Sequence, residues 1–169
     1  MRIAVAADHG GAGLKAELLE RLRGLGPGHE FVDLGGDGSD ASDDYPDYSR
    51  AVGRAIQAGD VERGIIICGS GVGAAVAASK MRGVRASVCH DSYTARQGVE
   101  HDDLNVLCMG ARVIAIELAL ECARAFLGAR FSGEARHARR LAKVNAIERE
   151  AADGPEPSGR EREGVTSAS

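Results

Sequence analysis

The segment of this sequence best equipped for chemistry is Cys68-Gly69-Ser70-Gly71-Val72-Gly73. A thiol is followed at once by glycines, which let the backbone turn tightly and aim several N–H groups at one point. Such a loop binds an anion, either a phosphate or the oxyanion of an enediolate. Ser70 adds a hydroxyl, and Cys68 would stand beside the positive end of the next helix, where a thiolate is favoured. Taken alone, Cys68 is equally a small hydrophobe ending a buried strand.

Other titratable residues fall at similar places. Asp8-His9-Gly10-Gly11, His90-Asp91 and His101-Asp102-Asp103 all flank strand-like runs. If those runs form one parallel sheet, these groups are expected together at its carboxyl end, where ligands bind. Each also has a plain reading: a histidine beside a turn is a common surface residue, and Asp8 is a natural turn former. Arg136, His137, Arg139, Arg140 and Lys143 crowd the start of the last helical segment. They form either a solvated basic face or an anion site, because Arg136 and Arg140 are four apart and share one face.

The glycine loop also fits a rival motif. Gly69, Gly71 and Ala74 match G-x-G-x-x-A, and Asp91 follows the next strand near the distance of a ribose-binding acid. A nucleotide-binding module using residues 69–74 is therefore a competing reading. Against it, the fingerprint falls on the third strand rather than the first, and the chain leaves no room for a separate substrate domain. A cysteine-phosphatase loop is excluded, since it needs Arg six positions after the cysteine and Ala74 stands there.

The elements that must position these groups alternate along the chain. Strands are expected at Ile3 to Ala7, Glu30 to Leu34, Gly64 to Cys68, Val84 to Cys89 and Asn105 to Met109. Helical periodicity runs over Gly13 to Leu22, Tyr48 to Ala58, Val72 to Met81, Ser92 to Val99, Ile114 to Leu127 and Glu134 to Glu150. A breaker, Gly-Leu-Gly-Pro-Gly at 24–28, separates the first helix from the second strand. Strands apolar on both faces and separated by helices require a parallel sheet covered on both sides. With right-handed crossovers this is an α/β, Rossmann-like, doubly wound sandwich of about five strands. Residues 1–150 form the expected domain. From Ala151 onward Pro, Gly, Ser and charge replace periodicity, which marks 151–169 as a disordered tail.

Composition excludes several classes. A net charge of −4 gives no general pull towards nucleic acid or anionic membrane. No apolar run approaches the roughly 20 residues of a membrane span. The four cysteines include no CxxC pair and match neither a zinc site nor a disulfide framework. The strand pattern starts at Arg2, leaving no room for a signal peptide, so a reduced, cytoplasmic setting is expected.

Taken together, the motifs resemble one family, the type B ribose-5-phosphate isomerases, which include galactose-6-phosphate isomerase subunits. They are the opening IAVAADHGG, DYPDYS at 44–49, IIICGSGVG at 65–73, GVEHDDLNVLCMGARVI at 98–114 and GEARHARRLAKVNAIE at 133–148. The resemblance covers Arg2 to about Glu150. It implies the Rossmann-like fold, a homodimer or dimer of dimers with active sites built from both subunits, and no metal or cofactor. The implied substrate is a small phosphorylated sugar, with ribose 5-phosphate and ribulose 5-phosphate leading and tetrose, allose or galactose types open. Cys68 resembles the base that moves a proton through a cis-enediolate. Gly69, Ser70, Gly71, Val72 and Gly73 resemble the oxyanion cradle, and His101 with Asp8 the pair that opens the sugar ring. His9, Arg112, Arg136 and Arg140 resemble phosphate ligands, and Tyr45 a sugar contact.

One departure bears on substrate. The family usually reads His-Asn-Asp where this chain has His101-Asp102-Asp103. An amide can donate a hydrogen bond to an enediolate, whereas an ionised aspartate cannot and repels it. Asp102 therefore turns away, carries a proton, or serves a different substrate. Ser70, where many relatives carry Thr, keeps the hydroxyl.

Overall fold

A computed structural model describes residues 1–24 and 28–154. Five strands, β1 (Arg2–Ala7), β2 (Glu30–Asp33), β3 (Arg63–Cys68), β4 (Ala86–Val88) and β5 (Val106–Gly110), form one all-parallel sheet in the order β2-β1-β3-β5-β4. Six helices connect and cover it: α1 (Ala12–Arg23), α2 (Tyr45–Gln57), α3 (Val72–Ala78), α4 (Ser92–Asp102), α5 (Ile116–Gly128) and α6 (Ala135–Asp153).

Strand side chains alternate between two cores, as the period of two requires. Ile3, Val5, Ile65, Ile67, Leu107 and Met109 pack with α1, α4 and α5 around the fully buried Phe126. Ala4, Ala6, Ile66, Cys68, Val106 and Cys108 face the other way, against Val52 of α2 and Ala74, Ala75 and Ala78 of α3. Burying each large aliphatic of β3 contributes roughly 1.5–3 kcal/mol, which explains why the central strand is also the most apolar.

Several boundaries differ from the sequence expectation, and two matter for the site. α2 begins at Tyr45 rather than Tyr48, because Pro46 sits in its first turn, where a missing N–H costs nothing. α4 continues to Asp102 rather than stopping at Val99, and ends where Asp103 adopts a left-handed φ of 52°. His101 and Asp102 are thus helical. α6 extends through Asp153, three residues into the segment expected to be a disordered tail; residues 155–169 lie outside the described residues, as do 25–27 of the expected breaker.

Candidate active site

The chain runs outward from β1 in opposite directions, so β1 and β3 form a topological switch point where a crevice opens at the carboxyl ends of the strands. Asp8 follows β1 and Cys68 ends β3, and the Asp8 N–H donates to the Ile67 carbonyl at 3.3 Å across the gap. There a cleft of about 290 Å3 is lined by Asp8, Tyr45, Cys68, Gly69, Ser70, Gly73, Arg112 and Val113. That volume suits a molecule of a few carbons.

The loop geometry follows from its glycines. Gly71 has φ +82°, and a Cβ there would lie 3.0 Å from the Met109 carbonyl carbon, so no other residue takes this turn without strain. The turn aims the Gly71 N–H at Cys68 Sγ, 3.1 Å away, and the Val72 N–H at Ser70 Oγ, 3.3 Å away. Cys68 is buried, and a thiolate at this position would accept the Gly71 hydrogen bond. Tyr45 closes one side with its ring flat against Gly73: a Cβ there would meet the ring at 2.7 Å. Arg112 closes the other, its N–H donating to Gly69 O at 3.0 Å and its guanidinium lying over Gly69. The buried Asp8 carboxylate accepts the Gly11 N–H at 3.0 Å.

His9 stands at the exposed edge of this end of the sheet. Its backbone N–H and ring Nδ1 both meet Asp43 Oδ1, at 2.9 and 2.6 Å, while Tyr48 donates its hydroxyl to Asp43 Oδ2 at 2.8 Å. The hydrogen bond to Asp43 holds the His9 ring above the ordinary histidine pKa, helped by the charges of Asp43 and Asp8. Burial pushes the Asp43 carboxyl up, but the hydrogen bonds from His9 and Tyr48 outweigh it and leave the group below the usual range. The same bond pushes the Tyr48 phenol up to about 12.

The remaining expected residues are elsewhere, which corrects the expectation of one common cluster. His101 and Asp102 precede β5 and end α4, so they lie at the amino end of the sheet, across its length from Cys68. In one chain His101 and Asp8 are therefore not a pair. His101 belongs to a second group with the start of α6: its ring stacks on that of His137, and Gln97 Nε2 meets its Nδ1 at 2.8 Å. Arg136 and Arg140 flank His137 on α6. Asp102 is exposed and lines a groove of about 890 Å3 between α6 and the β4 edge, together with Leu141, Val144 and Ile147. That groove is larger than the cleft and has Arg82, Arg85 and Cys89 in its lining, but it holds neither Cys68, the 69–73 glycine loop nor Arg112.

Asp91 is accounted for locally. It caps α4, taking the Thr94 N–H and hydroxyl at 2.7 Å each, which gives this carboxylate a structural role at the helix start. His90 likewise accepts the Gly110 N–H at 2.9 Å. Among the described residues no three His, Cys, Asp or Glu side chains gather as a metal site, and no helix is long and apolar enough to cross a membrane. Sequence reasoning missed Asp43, Tyr48, Gln97 and Val113. Gln97 could have been found from its i,i+4 spacing to His101. Asp43 is 34 positions from His9, and no local spacing links them.

A cleft of this kind is the mark of doubly wound α/β enzymes that handle small polar substrates at their strand ends. The chain belongs to the Ribose/Galactose Isomerase family, whose pattern it matches over residues 3–144, and it is a sugar-phosphate isomerase, an aldose–ketose isomerase by reaction. It is similar to ribose-5-phosphate isomerase B of Escherichia coli, with 42% identity over 87% of this chain and 96% of that protein. It is also similar to a D-erythrulose-4-phosphate isomerase of Mycolicibacterium smegmatis, 34% identical over 87% of this chain and 95% of that one. Among solved structures, ribose-5-phosphate isomerase B of Clostridium thermocellum superposes with a TM-score of 0.83 at 42% identity, covering 89% of this chain and 99% of that one.

Proposed function

We propose that the chain interconverts ribose 5-phosphate and ribulose 5-phosphate through a cis-enediolate, with Cys68 as the base and without metal or cofactor. The observation that carries this reading is the cleft itself, a single small volume lined together by Cys68, by Gly69, Ser70 and Gly73 of the glycine loop and by Arg112. Isomerisation needs a base within reach of two adjacent carbons and donors for the oxygen that becomes negative between them. In this reading the Cys68 thiolate removes the C2 proton of the open-chain aldose. The developing O1 oxyanion is held by the N–H groups of residues 69–73 and by Ser70. The thiol then returns the proton to C1 while the O2 proton passes to O1, and the ketose results. Tyr45 holds the sugar chain, and His9 and Arg112 grip the phosphate.

Ring opening is assigned to His101, and further phosphate contacts to Arg136 and Arg140. These belong to the opposite end of the same chain, so one protomer carries two half-sites. A homodimer, or a dimer of dimers, completes both: the Cys68 end of one protomer meets the α4–α6 end of its partner. The unpaired edge of β4 and the exposed Val72, Val76, Val144 and Ile147 are surfaces that such pairing would cover. Four free cysteines suit a reducing, cytoplasmic setting. Asp102 makes another sugar phosphate, of tetrose, allose or galactose type, the second candidate, and the D-erythrulose-4-phosphate relative supports that extension.

The test is turnover of purified protein on four-, five- and six-carbon sugar phosphates, with Cys68→Ala alongside. Conversion of ribose 5-phosphate that vanishes in the folded variant is expected. Turnover retained by Cys68→Ala would remove the thiol from the mechanism. No turnover on any sugar, with tight adenine-nucleotide binding, would favour a nucleotide module.

A further inference from the structure

Asp43 has no place in the mechanism above, yet it makes three hydrogen bonds at the edge of the cleft. One oxygen takes both the backbone N–H and the ring Nδ1 of His9, and the other takes the Tyr48 hydroxyl. An ionised carboxylate only accepts, so Nδ1 must carry a proton. The side chain of Asp43 is nearly buried at 10% exposure, whereas the ring of His9 is 39% exposed. One edge of the imidazole is therefore clamped against a fixed anion and the opposite edge, Nε2, is left for solvent or ligand. Tyr48, anchored on α2, fixes the carboxylate plane, so the clamp has two walls: the 36–44 loop and the helix.

We propose that Asp43 is a positioning residue for His9: its carboxylate holds the ring by Nδ1 and aims Nε2–H outward as a donor to the substrate's phosphate. This rests on the reading of His9 as a phosphate ligand. A charged donor to a phosphate oxygen makes a shorter and stronger bond than a neutral one, so the partner that keeps the ring charged adds to affinity. The charged groups that act on His9 are Asp8 from the end of β1 and Asp40 and Asp43 from the 36–44 loop, while Tyr48 of α2 reaches it only through Asp43. These acids favour the cation, and of them Asp43 alone touches the ring.

The test compares wild type, Asp43→Asn and His9→Ala in KM and kcat for ribose 5-phosphate from pH 6 to 9. Asp43→Asn should leave KM within about twofold at pH 6, where the ring is charged anyway, and raise it about five- to tenfold at pH 8, with kcat little changed. His9→Ala should raise KM at both. If His9→Ala raises KM but Asp43→Asn follows the wild-type pH profile, the proposal falls and the phosphate role of His9 stands. If His9→Ala leaves KM unchanged, that role falls and the proposal with it. Nitrogen NMR of the ligand-free wild-type protein is independent of any variant's folding. A His9 ring protonated at Nδ1 and titrating above an exposed histidine is expected; an ordinary titration with the Nε2–H tautomer overturns the proposal.

Discussion

The imidazoles of His101 and His137 stack with 3.9 Å between ring centroids and 27° between planes. His137 is buried at 1% exposure, and its Nδ1 meets Ser132 Oγ at 2.6 Å. The last turn of α4 and the first turn of α6 are thus joined through two titratable rings, with Arg136 and Arg140 close by. Burial, then the charges of His101 and Arg136, hold the His137 ring below the ordinary histidine pKa of 6.5.

That direction fixes a pH dependence of stability. Between its folded pKa and 6.5 the unfolded chain binds a proton at this residue that the native state does not, so stability falls as pH drops through that window. His29 shifts the same way by burial, and His9 shifts upward and opposes it. The informative quantity is therefore a difference. The fall in Tm from pH 7.5 to 5.5 should be smaller for His137→Gln than for wild type, and parallel curves would show that the stack tolerates the proton.

Gly73→Ala should disturb Tyr45 without unfolding the chain. The new Cβ would lie 2.7 Å from the phenol ring, which is half-exposed and can swing away. We expect KM for the sugar phosphate to rise about tenfold, corresponding to the loss of roughly 1.4 kcal/mol of substrate contact. An unchanged KM with unchanged Tm would remove Tyr45 from the list of sugar contacts.

Arg63 serves stability alone. Its guanidinium donates to the Phe126 and Ala129 carbonyls at the end of α5, the latter at 2.8 Å, and lies 5.1 Å over the Phe126 ring. Arg63→Met leaves both carbonyls without these donors, a loss of about 1–3 kcal/mol per group left buried. Tm should fall by several degrees with KM and kcat unchanged. A change in kinetics at full stability would contradict this assignment.

Much of this was legible because local pattern decides it. β3 is apolar on both faces and the glycine loop follows directly, so strand, turn and thiol are all read from residues 64–73. Right-handed crossovers then place Asp8 beside Cys68. His101 was misplaced for an equally physical reason: residues just before a strand stand at its amino end, and α4 carries the chain the full length of the sheet before β5 begins. Contacts such as His9 with Asp43 depend on how a loop folds back, and nothing in the local spacing encodes them.

Asp102→Asn tests the departure at the end of α4. Asp102 is exposed and has no hydrogen-bond partner among the described residues, whereas neighbouring Asp103 is held by Arg85 at 2.5 Å. If Asp102 reaches the substrate of a partner's site, an amide there can donate where the carboxylate cannot. Turnover of ribose 5-phosphate should then rise several-fold, and kinetics identical to wild type would mean that Asp102 points away from substrate.

The separation of Cys68 from Arg140 in one chain yields a sharper experiment. If each site takes Cys68 from one protomer and Arg140 from the other, Cys68→Ala and Arg140→Ala homodimers are both impaired at every site. In a mixed dimer both lesions fall in one site and the other is intact. Co-refolding equal amounts gives homodimers and mixed dimers in statistical proportion, and activity should recover to about a quarter of wild type. Recovery is expected with any pair drawn from the two half-sites, such as Ser70→Ala with Arg136→Ala. It is not expected for Cys68→Ala with Ser70→Ala, which lie in the same half. Failure of the first pairing, with mixed dimers shown to form, would mean that each chain works with its own residues and that α6 lies differently in the active enzyme.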